Sequence, residues 1–226
     1  TQVELAGQVK TVHTSGGDYQ ARTVVLATGA HPRELGLPGE RELRGRGVSY
    51  CATCDGMFYR GKTVVVVGGG NTAVSDVLYL SRLCEKVYLV HRRDTLRASK
   101  VYLDPLQKAE NVEFVWDSEV KQLLRDQAVT GVRVRNKKTG KERDIPCDGV
   151  FVAVGYLPNT ELYRGQVELD EAGYVLANET TQTNLPGVFA VGDLRKKPLR
   201  QVVTAASDGA VAAHFIEEYV STTLQG

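Results

Sequence analysis

The sequence predicts an α/β fold in which parallel strands alternate with helices. Residues 64–67 are four consecutive valines, a run typical of a strand that is buried on both faces of a sheet. A glycine cluster at 68–70 follows directly, and it leads into residues 71–84, whose apolar side chains recur at helical spacing. The apolar residues 87–90 form the next predicted strand. Together these segments make a βαβ unit, which we expect to be right-handed with parallel strands.

Further elements follow from the same kind of pattern. Short alternating segments and the turn at 15–18 predict a β-meander at the start of the chain. A hairpin turn is predicted at 137–140. Other apolar runs predict the remaining strands and a final helix from about 204 to 219, the strands lying at 23–27, 112–115, 149–154 and 188–193.

Two segments rich in glycine, proline or charge, 31–47 and 155–159, are interpreted as linkers. The chain would therefore leave one domain near residue 46 and re-enter it near residue 155. This gives a discontinuous domain and an inserted one, 1–46 with 155–226 and 47–154.

The composition excludes several functional classes. The 28 basic and 27 acidic residues are nearly balanced, so no overall field is expected to attract nucleic acid or a membrane surface. No apolar run is long enough to span a bilayer. Four cysteines are too few for a secreted disulfide scaffold, and one close pair with two isolated residues favours a reducing compartment. We predict the cytoplasm.

The glycine cluster matches a nucleotide-binding pattern. Gly68, Gly70 and Ala73 fit the G-x-G-x-x-A form of the dinucleotide loop. Its glycines permit a tight turn and close approach of the backbone to a pyrophosphate, which the following helix N-terminus attracts. Glycine clusters are common in turns, but here a buried strand precedes the loop and an amphipathic helix follows it. The loop is therefore predicted to bind a dinucleotide.

The end of the next strand indicates which nicotinamide cofactor fits. An NAD site normally has an acid there, which accepts hydrogen bonds from the ribose hydroxyl. This chain instead has His91-Arg92-Arg93, with Arg97 four residues beyond. A guanidinium group binds a 2′-phosphate bidentately, whereas a carboxylate repels it. A solvated basic edge is the alternative, but the position after the glycine loop favours NADP(H).

Residues 51–56, Cys-Ala-Thr-Cys-Asp-Gly, contain the pattern that points to chemistry. A C-x-x-C pair has three possible interpretations: a redox-active pair, half of a zinc site, or two buried cysteines without chemistry. Structural zinc needs four ligands, and the isolated Cys84 and Cys147 do not supply a second pair, so a redox pair is favoured and no metal is expected. Asp55 is either a turn residue or an acid that protonates a departing thiolate.

These motifs, in this order, resemble the low-molecular-weight thioredoxin reductases, and the resemblance covers essentially the whole chain. It extends to Gly192-Asp193 and to residues 200–206, Arg-Gln-Val-Val-Thr-Ala-Ala. The resemblance implies two Rossmann-like, three-layer nucleotide-binding domains of the pyridine nucleotide-disulfide oxidoreductase type. The inserted domain would bind NADPH, and the discontinuous domain would bind FAD.

The resemblance also implies a reaction, in which electrons pass from NADPH to FAD, to the Cys51–Cys54 disulfide and on to thioredoxin. Cys54 would face the flavin, Cys51 would attack thioredoxin, and Asp55 would be the acid and base. NADPH would contact Gly68, Gly70, Asn71, Thr72, Ala73, His91, Arg92, Arg93 and Arg97. FAD would contact Thr28, Gly29, Gly192, Asp193, Arg200, Gln201, Val202 and Ala205. A homodimer is also implied.

One departure from the family pattern concerns the flavin. Family members begin with an FAD-binding βαβ unit that carries its own glycine motif, and this sequence has no such motif before residue 68. The N-terminal part of the FAD domain is therefore expected to be missing from it. Two alternatives stay open: the flavoprotein component of alkyl hydroperoxide reductase, and a flavin-free NADP(H)-binding module.

Overall fold

The computed structural model describes residues 2–224, except for the side chains of Lys100 and Leu224. The chain divides into two compact units, of which one combines residues up to His31 with those from Tyr156 onward. The other unit is continuous from Pro32 to Gly155. Each unit has its own sheets and its own hydrophobic clusters.

The described chain contains fifteen strands and four helices. The strands are β1 (Gln2–Glu4), β2 (Lys10–Thr14), β3 (Gly17–Ala21), β4 (Val24–Leu26), β5 (Ala30–Pro32), β6 (Val48–Ser49), β7 (Thr63–Gly68), β8 (Lys86–Val90), β9 (Val112–Val115), β10 (Ser118–Arg125), β11 (Val129–Asn136), β12 (Glu142–Pro146), β13 (Gly149–Ala153), β14 (Tyr156–Pro158) and β15 (Val188–Ala190). The helices are α1 (Ala52–Asp55), α2 (Asn71–Leu80), α3 (Lys100–Gln107) and α4 (Val202–Leu224). Across residues 2–224, none of the helices combines the length and the apolar character needed to cross a bilayer.

A parallel sheet of five strands, in the order β6-β13-β7-β8-β9, forms the centre of the continuous unit. Successive side chains of a strand point to opposite faces. Val64 and Val66 of β7 accordingly pack on one face with residues of α2, such as Val77. Val65 and Val67 pack on the other face with residues of the antiparallel sheet β10-β11-β12. The unit is therefore three-layered, and the predicted α/β fold class is confirmed.

The predicted βαβ unit is present as β7-α2-β8, with β7 and β8 parallel. Its helix ends at Leu80 rather than near residue 84, because a turn of residues 81–83 follows it. Cys84 lies beyond this turn and is still buried in the same cluster as Val77. The hydrophobic spacing thus identified the buried residues correctly and overestimated the length of the helix.

The discontinuous unit contains smaller sheets. Strands β1, β2 and β3 form the predicted antiparallel meander, and β4 pairs in parallel with β15. The apolar run at 23–27 predicts a strand buried on both faces, but Val25 at the centre of β4 is exposed. Among the described residues, Val25 belongs to none of the hydrophobic clusters of this unit. Helix α4 packs on β15 through Ala212 and Phe215, which contact Phe189.

The first boundary between the units lies after His31, whereas the sequence places a domain boundary near residue 46. The loop between these positions packs on the core of the continuous unit through Leu37 and Leu43. Glu40, which is buried, holds the loop together by accepting hydrogen bonds from three backbone N–H groups and from the Tyr50 hydroxyl. Its glycine and charge content suggested a linker, but the loop belongs to the packed unit. The assignment of each domain to one cofactor stays a prediction.

Candidate active site

The disulfide between Cys51 and Cys54 lies at the start of α1. Cys51 is the N-cap residue, and its Sγ accepts a hydrogen bond from the backbone N–H of Cys54 at 3.2 Å. The two Cα atoms are 5.3 Å apart, a normal separation for a disulfide. Gly56 lies just behind, and a Cβ there would come within 2.8 Å of the Tyr79 ring in α2. A glycine therefore lets this turn pack closely against α2, while Cys54 stays exposed.

Asp55 is held beside the disulfide by a residue that the sequence did not single out. The Ser49 hydroxyl donates a hydrogen bond to Asp55 Oδ2 at 2.6 Å and accepts one from the Cys51 backbone N–H at 3.2 Å. Ser49 is buried at the end of β6, where water cannot easily replace these hydrogen bonds. One serine thus connects the predicted acid to the backbone of the first cysteine. A serine two residues before a C-x-x-C pair is too common a pattern to have predicted this.

The other two cysteines are chemically distinct from this pair. Cys84 and Cys147 are both buried free thiols. Burial raises the pKa of Cys84 to about 11 and that of Cys147 to about 12, so both stay protonated and unreactive at neutral pH. Among the described residues, no group of three or more His, Cys, Asp or Glu side chains could hold a metal ion. Dithiol chemistry is therefore assigned to Cys51 and Cys54.

The glycine loop connects β7 to α2 in the way a dinucleotide requires. A Cβ on Gly68 would lie 2.7 Å from the Ala73 Cβ and would overlap the Ala153 carbonyl oxygen, so glycine is needed for close packing of strand and helix. Gly70 is the N-cap of α2 and has open space around its Cα. Among the residues that the structure describes, no side chain caps this helix, and the N–H groups of Asn71 and Thr72 remain available. The loop therefore fits a pyrophosphate.

The basic segment after β8 lies against this loop. The backbone N–H of Arg97 donates a hydrogen bond to the Gly69 carbonyl oxygen at 2.8 Å, and that of Ser99 donates to Asn71 Oδ1 at 2.9 Å. Arg92, Arg93 and Arg97 are exposed, and within the described chain none of their guanidinium groups pairs with a carboxylate. Three unpaired cations next to a pyrophosphate loop fit a ligand with an additional phosphate.

His91 differs from these arginines. The residue is only 6% exposed, and its ring lies beneath the glycine loop. Its Nε2 atom is buried and has no hydrogen-bond partner among the described residues. Burial lowers its pKa, an effect that backbone hydrogen bonds with Thr95 and Gly68 oppose in part. The structure thus places Asn71, Thr72 and the three arginines at the surface, with Gly68 and Gly70 partly exposed. It places Ala73 and His91 inside the protein.

The predicted flavin residues are brought to one edge of the discontinuous unit. Because β4 and β15 are parallel, the segments that follow them leave the sheet at the same edge, and Val191 N–H donates to the Leu26 carbonyl oxygen. Gly29 lies three residues after the last residue of β4, and Gly192 lies two residues after the last residue of β15. A Cβ on Gly192 would lie 3.6 Å from the Ala205 Cβ in α4. Thr28 is bonded to Tyr163 and to the backbone of Asn159.

Several observations at this edge fit a flavin. Asp193 has a buried carboxylate oxygen, Oδ1, without a partner, which suits a ligand hydroxyl as the donor. Val202 at the start of α4 is 86% exposed, and Val203 is 69% exposed, so an apolar surface is available for a flat ring. The Arg200 guanidinium stacks 3.9 Å from the Tyr174 ring centroid, and Gln201 N–H donates to Thr204 Oγ1. The N-terminus of α4, which begins at Val202, favours negative charge.

A buried carboxylate that was not predicted organises this edge. Asp208 of α4 accepts hydrogen bonds from the Gly192 N–H and from the side chains of Arg195 and Lys197, all at 2.8 to 2.9 Å. It therefore fixes the turn that carries Gly192 and Asp193. An acid on the second turn of a predicted helix gives no sign of a special role. Its side-chain partners, Arg195 and Lys197, become evident only when the loop of residues 192–200 folds back on α4.

The two units and the site define a class of protein, the nucleotide-dependent disulfide oxidoreductases. The family model described as pyridine nucleotide-disulphide oxidoreductase matches residues 1–209. This family uses a pyridine nucleotide and a flavin to act on disulfides, in agreement with a disulfide that lies in the same unit as a dinucleotide loop.

Similar proteins define the group within this class. The chain is 48% identical over 220 residues to a thioredoxin reductase of Mycolicibacterium smegmatis, covering 97% of this chain and 71% of the relative. It is 46% identical over 221 residues to that of Streptomyces coelicolor, with coverages of 97% and 69%. The crystal structure of thioredoxin reductase from Streptococcus pyogenes superimposes with a TM-score of 0.90 at 42% identity, over 98% of this chain and 72% of that chain. The chain belongs to the thioredoxin reductases.

Proposed function

We propose that this chain uses NADPH and FAD to reduce the disulfide of thioredoxin. The observation that carries the proposal is the Cys51–Cys54 disulfide, which is partly exposed on α1. It lies in the same unit as the glycine loop and the three unpaired arginines. The 43% to 48% identity to several thioredoxin reductases supports the choice of thioredoxin as the substrate.

The residues that would hold the cofactors follow from the two edges described above. The loop from Gly68 to Ala73 would bind the pyrophosphate of NADPH, and Arg92, Arg93 and Arg97 would bind its 2′-phosphate. Gly192, Asp193 and the start of α4 would bind FAD, together with Thr28, Gly29, Arg200, Gln201, Val202 and Ala205. When bound, the nicotinamide supplies a hydride and the flavin passes the electron pair to a disulfide.

The remaining chemistry belongs to the side chains of the protein. Once Cys51 and Cys54 are thiols, the Cys51 thiolate attacks one sulfur of the thioredoxin disulfide, and the other thioredoxin sulfur leaves and takes up a proton. The Cys54 thiolate then attacks Cys51 Sγ, which re-forms the disulfide and releases thioredoxin as a dithiol. Asp55, which accepts a hydrogen bond from Ser49, would accept and return the proton of a cysteine thiol.

The surroundings of the disulfide fit a protein substrate. Met57 is 54% exposed and Phe58 is 74% exposed, and both lie in the 3-10 turn Gly56–Tyr59 that follows α1. Two large apolar side chains beside the reactive sulfurs form a surface that a partner protein can cover, as aromatic residues and methionine do at interfaces. Thioredoxin is expected to contact both side chains when its disulfide approaches Cys51.

A coupled assay tests the proposed function. The flavin-loaded, full-length protein is expected to oxidise NADPH only when oxidised thioredoxin is present, with two thioredoxin thiols formed for each NADPH consumed. If NADPH reduces the flavin but thioredoxin stays oxidised, the substrate is wrong and the hydroperoxide-reductase alternative is favoured. If the purified protein shows no flavin absorbance, the flavin-free module is favoured instead.

The choice of NADPH over NADH is predicted to depend on the exposed arginines. Arg93→Ala is expected to weaken NADPH binding by about tenfold or more, because one charge-assisted hydrogen bond contributes about 1.5–3 kcal/mol. NADH, which lacks the 2′-phosphate, should bind as before. The matched control is Arg82→Ala, which changes an exposed arginine in the turn after α2. Equal losses for both nucleotides in Arg93→Ala would contradict a 2′-phosphate site.

The biological setting is proposed from the cysteine content, the family and the net charge. Two buried free thiols beside a single redox pair suit a reducing compartment, and we propose the cytoplasm. A homodimer is proposed from the family alone. We propose no nucleic-acid or membrane partner, since the net charge is near zero.

A further inference from the structure

His91 and Gly69 have complementary shapes. A Cβ on Gly69 would lie 2.7 Å from His91 Nε2 and closer still to Cε1 and Nδ1 of the same ring. Cβ atoms do not approach other atoms this closely, so any residue other than glycine at position 69 would force the ring or the loop to move. The dinucleotide pattern requires glycine at positions 68 and 70 and leaves position 69 open. The need for a glycine at 69 comes from His91.

The His91 ring also has a contact on the side away from Gly69. The Trp116 ring meets it edge-on, with a centroid separation of 6.4 Å and an interplanar angle of 76°. The His91 backbone is bonded on both sides, since its N–H donates to the Val115 carbonyl oxygen and its carbonyl oxygen accepts from the Ser118 N–H. The imidazole is thus a fixed spacer between Trp116 and the backbone of the glycine loop.

The properties of the ring do not suit a phosphate ligand. A group that binds a 2′-phosphate must be accessible and positively charged, as Arg92 and Arg93 are. His91 is 6% exposed, and burial lowers its pKa, so the ring is neutral near pH 7. Its Nε2 atom is buried beneath Gly69 rather than open to solvent.

We propose that His91 is a positioning residue for the nucleotide loop and does not contact the 2′-phosphate. The ring supports the Gly69 backbone from below, while the Arg97 N–H holds the Gly69 carbonyl oxygen at 2.8 Å. The loop is thereby kept in the conformation that directs its N–H groups and the N-terminus of α2 toward a pyrophosphate. Since NADPH and NADH share the pyrophosphate, His91 is expected to affect the binding of both nucleotides equally. This inference rests on the proposed nucleotide site.

The proposal is tested by nucleotide binding to the flavin-loaded, full-length protein. Trp116 is the only tryptophan and touches His91, so its fluorescence reports on titrations with NADP⁺ and NAD⁺, and calorimetry provides an independent measurement. His91→Ala is expected to raise the dissociation constants of both nucleotides by a similar factor of about ten. A loss of this size corresponds to one hydrogen bond to a phosphate. The selectivity ratio, defined as the dissociation constant for NAD⁺ divided by that for NADP⁺, should keep its wild-type value in His91→Ala. Arg93→Ala should lower this ratio.

A second variant tests the contact itself. Gly69→Ala is expected to weaken the binding of both nucleotides more than His91→Ala does, because the new Cβ overlaps the His91 ring. The double variant Gly69→Ala/His91→Ala should recover binding to the level of His91→Ala, since the clash is gone. Thermal unfolding shows that each variant is folded, and His91→Ser replaces His91→Ala if the latter is not.

The outcomes separate the two proposals. A fall in the selectivity ratio of His91→Ala to the value of Arg93→Ala would mean that His91 binds the 2′-phosphate, and it would overturn the positioning role. Tight binding by Gly69→Ala, or no recovery in the double variant, would overturn the contact. If the wild-type protein binds neither nucleotide, the proposed function fails before His91 is tested.

Discussion

Cys54→Ser is expected to abolish thioredoxin reduction while bound FAD is still reduced by NADPH. A serine hydroxyl cannot form or break a disulfide, so electrons that reach the flavin would have no route to the partner protein. The nucleotide loop and the flavin edge lie in elements other than α1 and stay intact. Stopped-flow absorbance would show flavin bleaching at the wild-type rate, and the coupled assay would show no thioredoxin thiols.

The two buried cysteines provide matched controls for this experiment. Cys84→Ser and Cys147→Ser make the same chemical change at free thiols that are buried in the hydrophobic clusters and take no part in the disulfide. Each is expected to retain turnover and to lose about 1–3 kcal/mol of stability, the cost of burying an unpaired hydroxyl. Turnover by Cys54→Ser at the wild-type rate would disprove the dithiol mechanism, as would loss of turnover in either folded control.

Much of the fold could be predicted because its signals are local. The valines at 64–67 and the glycines after them are consecutive in sequence, and this order indicates a strand, a turn and a helix. The short Cys51–Cys54 spacing likewise allows the two sulfurs to form a disulfide within one turn. The sequence therefore predicted the β7-α2-β8 unit and the disulfide, while nucleotide binding by the glycine loop stays a prediction.

The residues that could not be predicted act through loops and turns whose conformation has no clear pattern in the sequence. Ser49 matters because α1 folds back over it, and Asp208 matters because residues 192–200 return to α4. Glu40 looks like a surface acid in a charged linker, and only the folded loop shows its four hydrogen-bond donors. His91 was grouped with its two arginine neighbours, whereas alternation along the strand end turns its side chain inward.

Asp208→Ala is expected to destabilise the discontinuous unit by about 3–5 kcal/mol, because it leaves two cations buried without a counter-charge. The Lys197 side chain is only 5% exposed, and both it and Arg195 depend on the same carboxylate. The variant also loses the acceptor of the Gly192 N–H, so flavin affinity should fall together with stability. Chemical unfolding followed by circular dichroism measures the first effect, and flavin titration measures the second.

The pH dependence gives this prediction a second, independent signature. Burial by itself would raise the pKa of Asp208, but hydrogen bonds from Arg195, Lys197 and the Gly192 N–H lower it from 3.8 to about 2. A pKa lower in the folded than in the unfolded chain stabilises the fold above pH 3.8, and this contribution is lost as the pH falls toward 2. The stability difference between wild type and Asp208→Ala should therefore narrow over that interval.

A surface ion pair supplies the control that distinguishes a buried network from charge alone. Asp144 pairs with Arg133 through two hydrogen bonds, and both side chains are largely exposed. Asp144→Ala is expected to cost no more than about 1 kcal/mol, since solvent screens such a pair. If Asp208→Ala costs as little as Asp144→Ala, the network does not hold the Gly192 turn against α4, and the flavin edge must owe its shape to the apolar contacts of α4 with β15.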